Sequence, residues 1–122
     1  MPQPTATLLY VSSIPKSTKF YSELLGLKPS MASPFYVMYK LDNGFEIQIY
    51  DRAKLDPPAE ALAGAAELGF VVADVAALDA LHADWMAQGI SIIMRPTKMY
   101  FGGTHFMGVD PDGHRLRVGT PD

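Results

Sequence analysis

Two stretches of this chain repeat each other, and a duplicated unit constrains the fold to two copies of one motif. Thr7-Leu8-Leu9-Tyr10-Val11 runs into Ser13-Ile14-Pro15-Lys16, and Leu68-Gly69-Phe70-Val71-Val72 runs into Asp74-Val75-Ala76-Ala77, with Val11 matching Val72 at a separation of 61 residues. The far ends of the halves also match, at a separation of 69 residues: Gly44 in Asp42-Asn43-Gly44 corresponds to Gly113 in Asp110-Pro111-Asp112-Gly113. Each opening reads as an apolar strand leading into a capped helix. Each closing reads as a hairpin whose glycine takes the left-handed position of a three-residue loop.

The first helix is predicted to begin at Ser12 or Ser13, with Pro15 in its first turn, to carry Phe20, Tyr21, Leu24 and Leu25 on one face, and to stop at Gly26. The second begins at Asp74, places Leu78, Leu81, Trp85 and Met86 on its apolar face, and stops at Gly89. Strands are expected over Phe35–Leu41 and Phe45–Tyr50, and over Thr104–Val109 and His114–Val118. A weaker strand is expected at Ser91–Met94, with its counterpart at Lys28–Ala32. Ala53–Ala66, which includes Asp56-Pro57-Pro58, reads as a linker. The predicted class is α+β: two βαβββ repeats, residues 1–52 and 67–122 joined by 53–66, forming a curled mixed sheet around a cavity with the helices outside.

Composition narrows the function. Of 122 residues 48% are apolar, enough for a core, and the net charge of -3 gives no basic footprint for nucleic acid. No apolar run is long enough for a membrane span and no leader pattern is present, so a cytoplasmic protein without membrane partners is expected. With no cysteine there is neither a thiol nucleophile nor a thiolate metal site.

Strand alternation assigns faces. In the first hairpin Phe35, Val37, Tyr39, Leu41, Phe45, Ile47 and Ile49 share the face predicted to pack under the helices. Tyr36, Met38, Lys40, Glu46, Gln48 and Tyr50 share the other. If Leu41 and Phe45 flank the loop, Met38 sits opposite Gln48 and Tyr36 opposite Tyr50; in the second hairpin Met107 sits opposite Arg117 and His105 near Gly119. Ala6, Leu8 and Tyr10 lie on the second face of the first unit, and Glu67, Gly69 and Val71 on that of the second. A face of such mixed character lines a cavity, meets solvent or forms a dimer contact.

The run Tyr10-Val11-Ser12-Ser13, the run Phe20-Tyr21-Ser22-Glu23-Leu24-Leu25-Gly26-Leu27 and the turn Asp110-Pro111-Asp112-Gly113 together resemble the vicinal oxygen chelate superfamily of glyoxalases, bleomycin-resistance proteins and extradiol dioxygenases. Leu9-Tyr10-Val11-Ser12, Glu67-Leu68-Gly69 and Asp110-Pro111-Asp112-Gly113-His114 with Arg117-Val118 resemble the phenazine-antibiotic resistance proteins within it. The resemblance implies one glyoxalase-like domain in which enzymes hold a divalent metal at positions corresponding to Ala6, Gln48, Glu67 and Arg117. Ala6 has no donor and Arg117 is a fixed cation, so no metal and no cofactor are expected here. Glu67 and Arg117 are instead expected to pair, either presenting spare N–H donors to a ligand or forming a salt bridge that touches none.

The relatives so resembled sequester a planar aromatic drug without altering it, commonly as domain-swapped homodimers, with an aromatic at the position of Tyr50. The expected partners are therefore a planar aromatic small molecule, an antibiotic, and a second copy of the chain. The expected contacts are Tyr10, Tyr36, Tyr50, Met38, Met107, Gln48, Glu67, Arg117 and His105. The alternative is a metal-dependent lyase, isomerase or dioxygenase using Glu46, Gln48, Glu67 and His105. His82 and His114 are read as structural and Trp85 as core. Tyr100 and Phe101, beside Gly102-Gly103, either cap a ligand or pack as an ordinary loop.

Overall fold

The computed structural model describes residues 2–122, which form two compact units, one ending at Ala61 and the other beginning at Leu62. The first unit runs β1 (Ala6–Val11), α1 (Ile14–Leu25), β2 (Met31–Ala32), β3 (Tyr36–Lys40) and β4 (Glu46–Asp51), then a short 3₁₀ turn over Arg52–Lys54. The second runs β5 (Glu67–Val71), α2 (Val75–Ala87), β6 (Ser91–Lys98), β7 (Thr104–Val109) and β8 (Arg115–Gly119). Both are βαβββ. Each has an open four-stranded mixed sheet, in order β1-β4-β3-β2 and β5-β8-β7-β6. In each the opening strand lies parallel to the last, as a strand–helix–strand crossover requires, and the other pairs are antiparallel.

The hairpin loops fix the register on which the candidate site depends. In the first, Leu41 N–H donates to Phe45 O at 2.8 Å and Gly44 N–H to Leu41 O at 2.9 Å, with Gly44 at φ 88°. In the second, Asp110 N–H donates to His114 O at 2.9 Å and Gly113 N–H to Asp110 O at 3.0 Å, with Gly113 at φ 97°. A left-handed residue is needed at that point of the loop, and glycine adopts it without a Cβ clash. Asp110, itself buried, steadies the second turn by accepting from the N–H groups of Asp112 and His114 at 2.9 Å.

α1 begins at Ser13, whose side chain accepts from Lys16 N–H, and ends at left-handed Gly26. It buries Ile14, Ser17 and Tyr21, while the sheet beneath supplies Val37, Tyr39, Ile47 and Ile49. Tyr39 crosses between the layers: its hydroxyl donates to Thr18 O at 3.0 Å and lies 2.7 Å from the Ser22 hydroxyl. Burial raises the Tyr39 pKa. α2 begins at Asp74, whose carboxylate accepts from Ala77 N–H at 2.8 Å. It drives Trp85 edge-on against Phe70 and Phe106, with centroids 5.7 and 5.1 Å away. Gly108 makes the room: a Cβ there would lie 3.3 Å from the indole and 3.1 Å from Ile90.

Several expectations need correction. β2 covers only Met31–Ala32, shorter than the expected Lys28–Ala32. β6 runs on to Lys98 through Pro96, because it is the sheet edge and bears register shifts, where a missing N–H is tolerated. Phe35, placed on the helix side by parity, precedes β3 and is 50% exposed, with the Lys54 ammonium 5.0 Å from its ring centroid. Met86 is 58% exposed; the stripe α2 buries is narrower, with Leu78 and Trp85 fully covered. Helix α2 stops at Ala87, with Gln88 as its cap and Gly89 following at φ 80°.

Candidate functional site

The second faces of the two sheets carry the candidate residues. In the first unit the ladder pairs Tyr36 with Tyr50 and Met38 with Gln48 across β3 and β4, as the loop geometry predicts. Parallel β1 sets Leu8 beside Gln48 and Tyr10 beside Tyr50. The Tyr36 and Tyr50 rings lie 4.8 Å apart at a tilt of 55°. A hydrogen-bonded chain runs up β4: Tyr50 Oη donates to Gln48 Oε1 at 3.3 Å, and Gln48 Nε2 donates to Glu46 Oε1 at 2.8 Å. Residues two apart on a strand share a face, which is why three polar groups of one strand link in series. Gln48 is thereby fixed in both position and amide orientation. Desolvation, helped by Tyr50 and Glu46, raises the Tyr36 pKa, so that phenol stays neutral at physiological pH. Leu8 and Tyr10 are exposed at the sheet edge.

The second unit uses equivalent positions differently. Glu67 pairs with Arg115, and Gly69 with Arg117, across β5 and β8. Arg117 reaches diagonally past its own partner to Glu67: Nε donates to Oε1 at 2.8 Å and Nη2 to Oε2 at 3.1 Å, a two-pronged pair. Its Nη1 lies 3.3 Å from His105 Nδ1. A guanidinium only donates, so Nδ1 accepts and the imidazole proton sits on Nε2. The Arg117 bond holds the Glu67 carboxyl below its ordinary pKa, and Glu67 in turn raises that of Arg117. Desolvation, and then the Arg117 charge, lower the His105 pKa. His105 is therefore neutral at physiological pH.

The imidazole lies across β8 because Gly119, its ladder partner, leaves the space: a Cβ on Gly119 would fall 2.6 Å from His105 Nε2. Phe101 closes the other side, edge-on at 5.3 Å, and Tyr100 beside it is 98% exposed. Sequence parity found His105 and Arg117 but not their contact; the glycine opposite His105 was the available signal. Met107 pairs with Arg117 as predicted but is only 2% exposed, so it packs within its own unit instead of offering a free surface. His82 is half-buried against Phe106 at 5.2 Å, and Trp85 is core.

A model of the Glyoxalase/Bleomycin resistance protein/Dioxygenase superfamily matches residues 3–118. The chain belongs to this superfamily. Within it, the chain is 31% identical over 118 residues to the phenazine antibiotic resistance protein EhpR of Enterobacter agglomerans, covering 94% of this chain and 89% of that protein. Its structure is similar to the solution structure of protein ATC0852 from Agrobacterium tumefaciens, with a TM-score of 0.86, 39% identity and 98% of each chain covered. A glyoxalase-related enzyme from Fulvimarina pelagi shares the glyoxalase fold, with a TM-score of 0.85 at 22% identity, over 98% of this chain and 88% of that one.

The superfamily's enzymes imply a divalent metal, and the residues present do not fit one. Of the four positions that the resemblance implies for it, Ala6 has no donor atom and Arg117 is a cation. Both oxygens of Glu67 already accept from Arg117, and the Gln48 amide is bonded on both sides. Among the described residues no group of three or more histidines, aspartates or glutamates gathers closely enough to hold an ion. Among those residues, too, no helix is long and apolar enough to cross a membrane.

Proposed function

We propose that this protein binds a planar aromatic small molecule of the antibiotic class and holds it without chemical change, conferring resistance by sequestration. The observation that carries this reading is the two-pronged Glu67–Arg117 pair, formed where the resemblance implies two metal ligands in the superfamily's enzymes. An activated water or a polarised carbonyl needs the metal those positions would hold, whereas a neutralised pair supplies only directed hydrogen bonds. Resemblance to a phenazine antibiotic resistance protein supports the same class of ligand.

In this reading Tyr10, Tyr36 and Tyr50 offer stacking surface and Met38 an adaptable neighbour. Gln48, locked by Glu46, offers a fixed polar contact, and Arg117 and His105 offer N–H donors. Met107 supports Arg117 from within the sheet. The protein acts as a homodimer with exchanged units. The exposed apolar groups on the sheets, Leu8 and Tyr10 in the first unit and Val71 (79% exposed) in the second, support association with a second copy. The protein works in the cytoplasm.

The test is titration of phenazine against purified protein, followed by tyrosine fluorescence, before and after dialysis against a chelator. Saturable binding unaffected by the chelator is expected, with recovered phenazine unchanged. Tyr50→Ala should weaken binding by about 1 kcal/mol through lost stacking, while Tyr50→Phe retains it. An affinity that Tyr50→Ala leaves unchanged removes Tyr50 from the contact. Binding or turnover that disappears with chelation returns the reading to a metal-dependent lyase, isomerase or dioxygenase.

A further inference from the structure

Three glycines border the Glu67–Arg117–His105 cluster, and the chain itself explains two of them. Gly103 has φ +77°, and a Cβ there would meet Thr120 O at 2.6 Å; Gly119 yields its space to the His105 ring. Gly69 has no such reason. Its φ is not positive, it is exposed, and a Cβ built on it meets no atom within 4 Å. Glycine within a strand costs stability and marks a place where something else comes close. Nor does the fold demand a small residue at this ladder position. In the first unit the equivalent place is filled by Leu8, which pairs with Gln48 as Gly69 pairs with Arg117.

We propose that Gly69 is a specificity-determining residue: it keeps open the space beside the Arg117 guanidinium, and the edge of a flat ligand lies there across β5 and β8. This rests on the sequestration reading and adds what that edge must be. Three of the five guanidinium N–H groups go to Glu67 and His105, which leaves two. The carboxylate cancels the Arg117 charge and His105 is neutral, while Arg115, two residues back on β8 and paired with Glu67 across the ladder, adds an exposed cation. The edge over Gly69 therefore carries a hydrogen-bond acceptor, and a neutral ring nitrogen or carbonyl and an anionic group both suit it. A side chain at position 69 would stand where the ring edge lies, and Gly69 thereby bears on how large a ring system this face accepts.

The experiment compares wild type, Gly69→Ala and Gly69→Leu, the last importing the side chain of the first unit. Each is titrated with phenazine and with quinoxaline, its two-ring counterpart, and each is melted. Both variants should melt no lower than wild type, since they replace a strand glycine in open space. Gly69→Leu should weaken phenazine binding by about tenfold or more, Gly69→Ala by less, and quinoxaline binding should suffer less than phenazine binding, because filling a gap penalises the larger occupant most. Phenazine binding by Gly69→Leu within about twofold of wild type would overturn the assignment while leaving sequestration intact. A change in subunit number in place of affinity would overturn it too, making Gly69 a contact between copies. Failure of wild type to bind either probe would take down the sequestration reading itself.

Discussion

The two units share one topology and one hairpin register, yet their second faces differ. In the first, Leu8, Tyr10, Tyr36 and Tyr50 present rings and aliphatic surface, with polar groups tied into a chain along β4. In the second, the equivalent places hold Gly69, Val71, His105 and Gly119, and the surface is dominated by Glu67 and Arg117. Duplication supplied one scaffold twice. Side-chain choice then gave one sheet rings and aliphatic surface and the other a hydrogen-bonded ion pair. The cores diverge as well, by moving a large aromatic from layer to layer. Tyr39 rises from the first sheet and finishes with hydrogen bonds to α1, whereas Trp85 descends from α2 onto the Gly108 that stands at the matching strand position.

The strongest way to break this comparison is in the cores. Trp85→Ala should cost about 3–5 kcal/mol, because it removes the edge contacts to Phe70 and Phe106 and leaves a cavity above Gly108. Tyr39→Phe keeps the ring and loses only the hydroxyl bonds, and should cost about 1 kcal/mol. Denaturant unfolding measures both; a loss for Trp85→Ala no larger than that for Tyr39→Phe would show that the indole does not anchor α2 as its edge contacts imply. Next comes Gly119→Ala, whose methyl must push the His105 ring aside. We expect His105 to lose its Arg117 contact and its titration, read by NMR, to move back toward the ordinary 6.5, with a stability change of about 1 kcal/mol or less.

The smallest effect is that of pH on the second unit alone. The His105 pKa is lowered on folding, so its contribution to stability is full above its ordinary value of 6.5 and declines as pH falls through that value toward the folded one. The Glu67 pKa is also lowered, so its contribution is full above 4.5 and is lost below it. Melting followed across this range should show two successive acid losses. His105→Gln should remove the upper one and leave the lower. A single loss with its onset below 4.5 would mean that burial and the Arg117 charge do not disfavour the protonated His105 in the folded protein.

Most of the fold was legible because its determinants are local. Ser13 and Asp74 begin helices, Gly26 ends one, and Gly44 and Gly113 set loops from which every cross-strand pair in the two hairpins follows by counting. The misreadings fall where tertiary context decides. Pro96 reads as a strand stop unless β6 is known to be an edge. Met107 lies on the predicted face but is covered, and parity assigns a direction without saying what lies above. The pairing of Arg117 with Glu67 was expected from the family resemblance, which sets both residues where ligands of one ion would meet. Its second contact, to His105, depends on space left by a residue with no side chain, which a list of functional groups overlooks.

The Glu67–Arg117 pair also bears on how such a protein changes over generations. Replacing Arg117 by glutamate, the first step toward a coordinating set, would put two carboxylates face to face with nothing between them, and one could stay ionised only at the other's expense. Replacing Glu67 first would strand a guanidinium. Either single step gives up the paired hydrogen bonds before any ion could be gained, and Ala6 would still lack a donor afterwards, so no one substitution turns this sequence toward an ion-dependent enzyme.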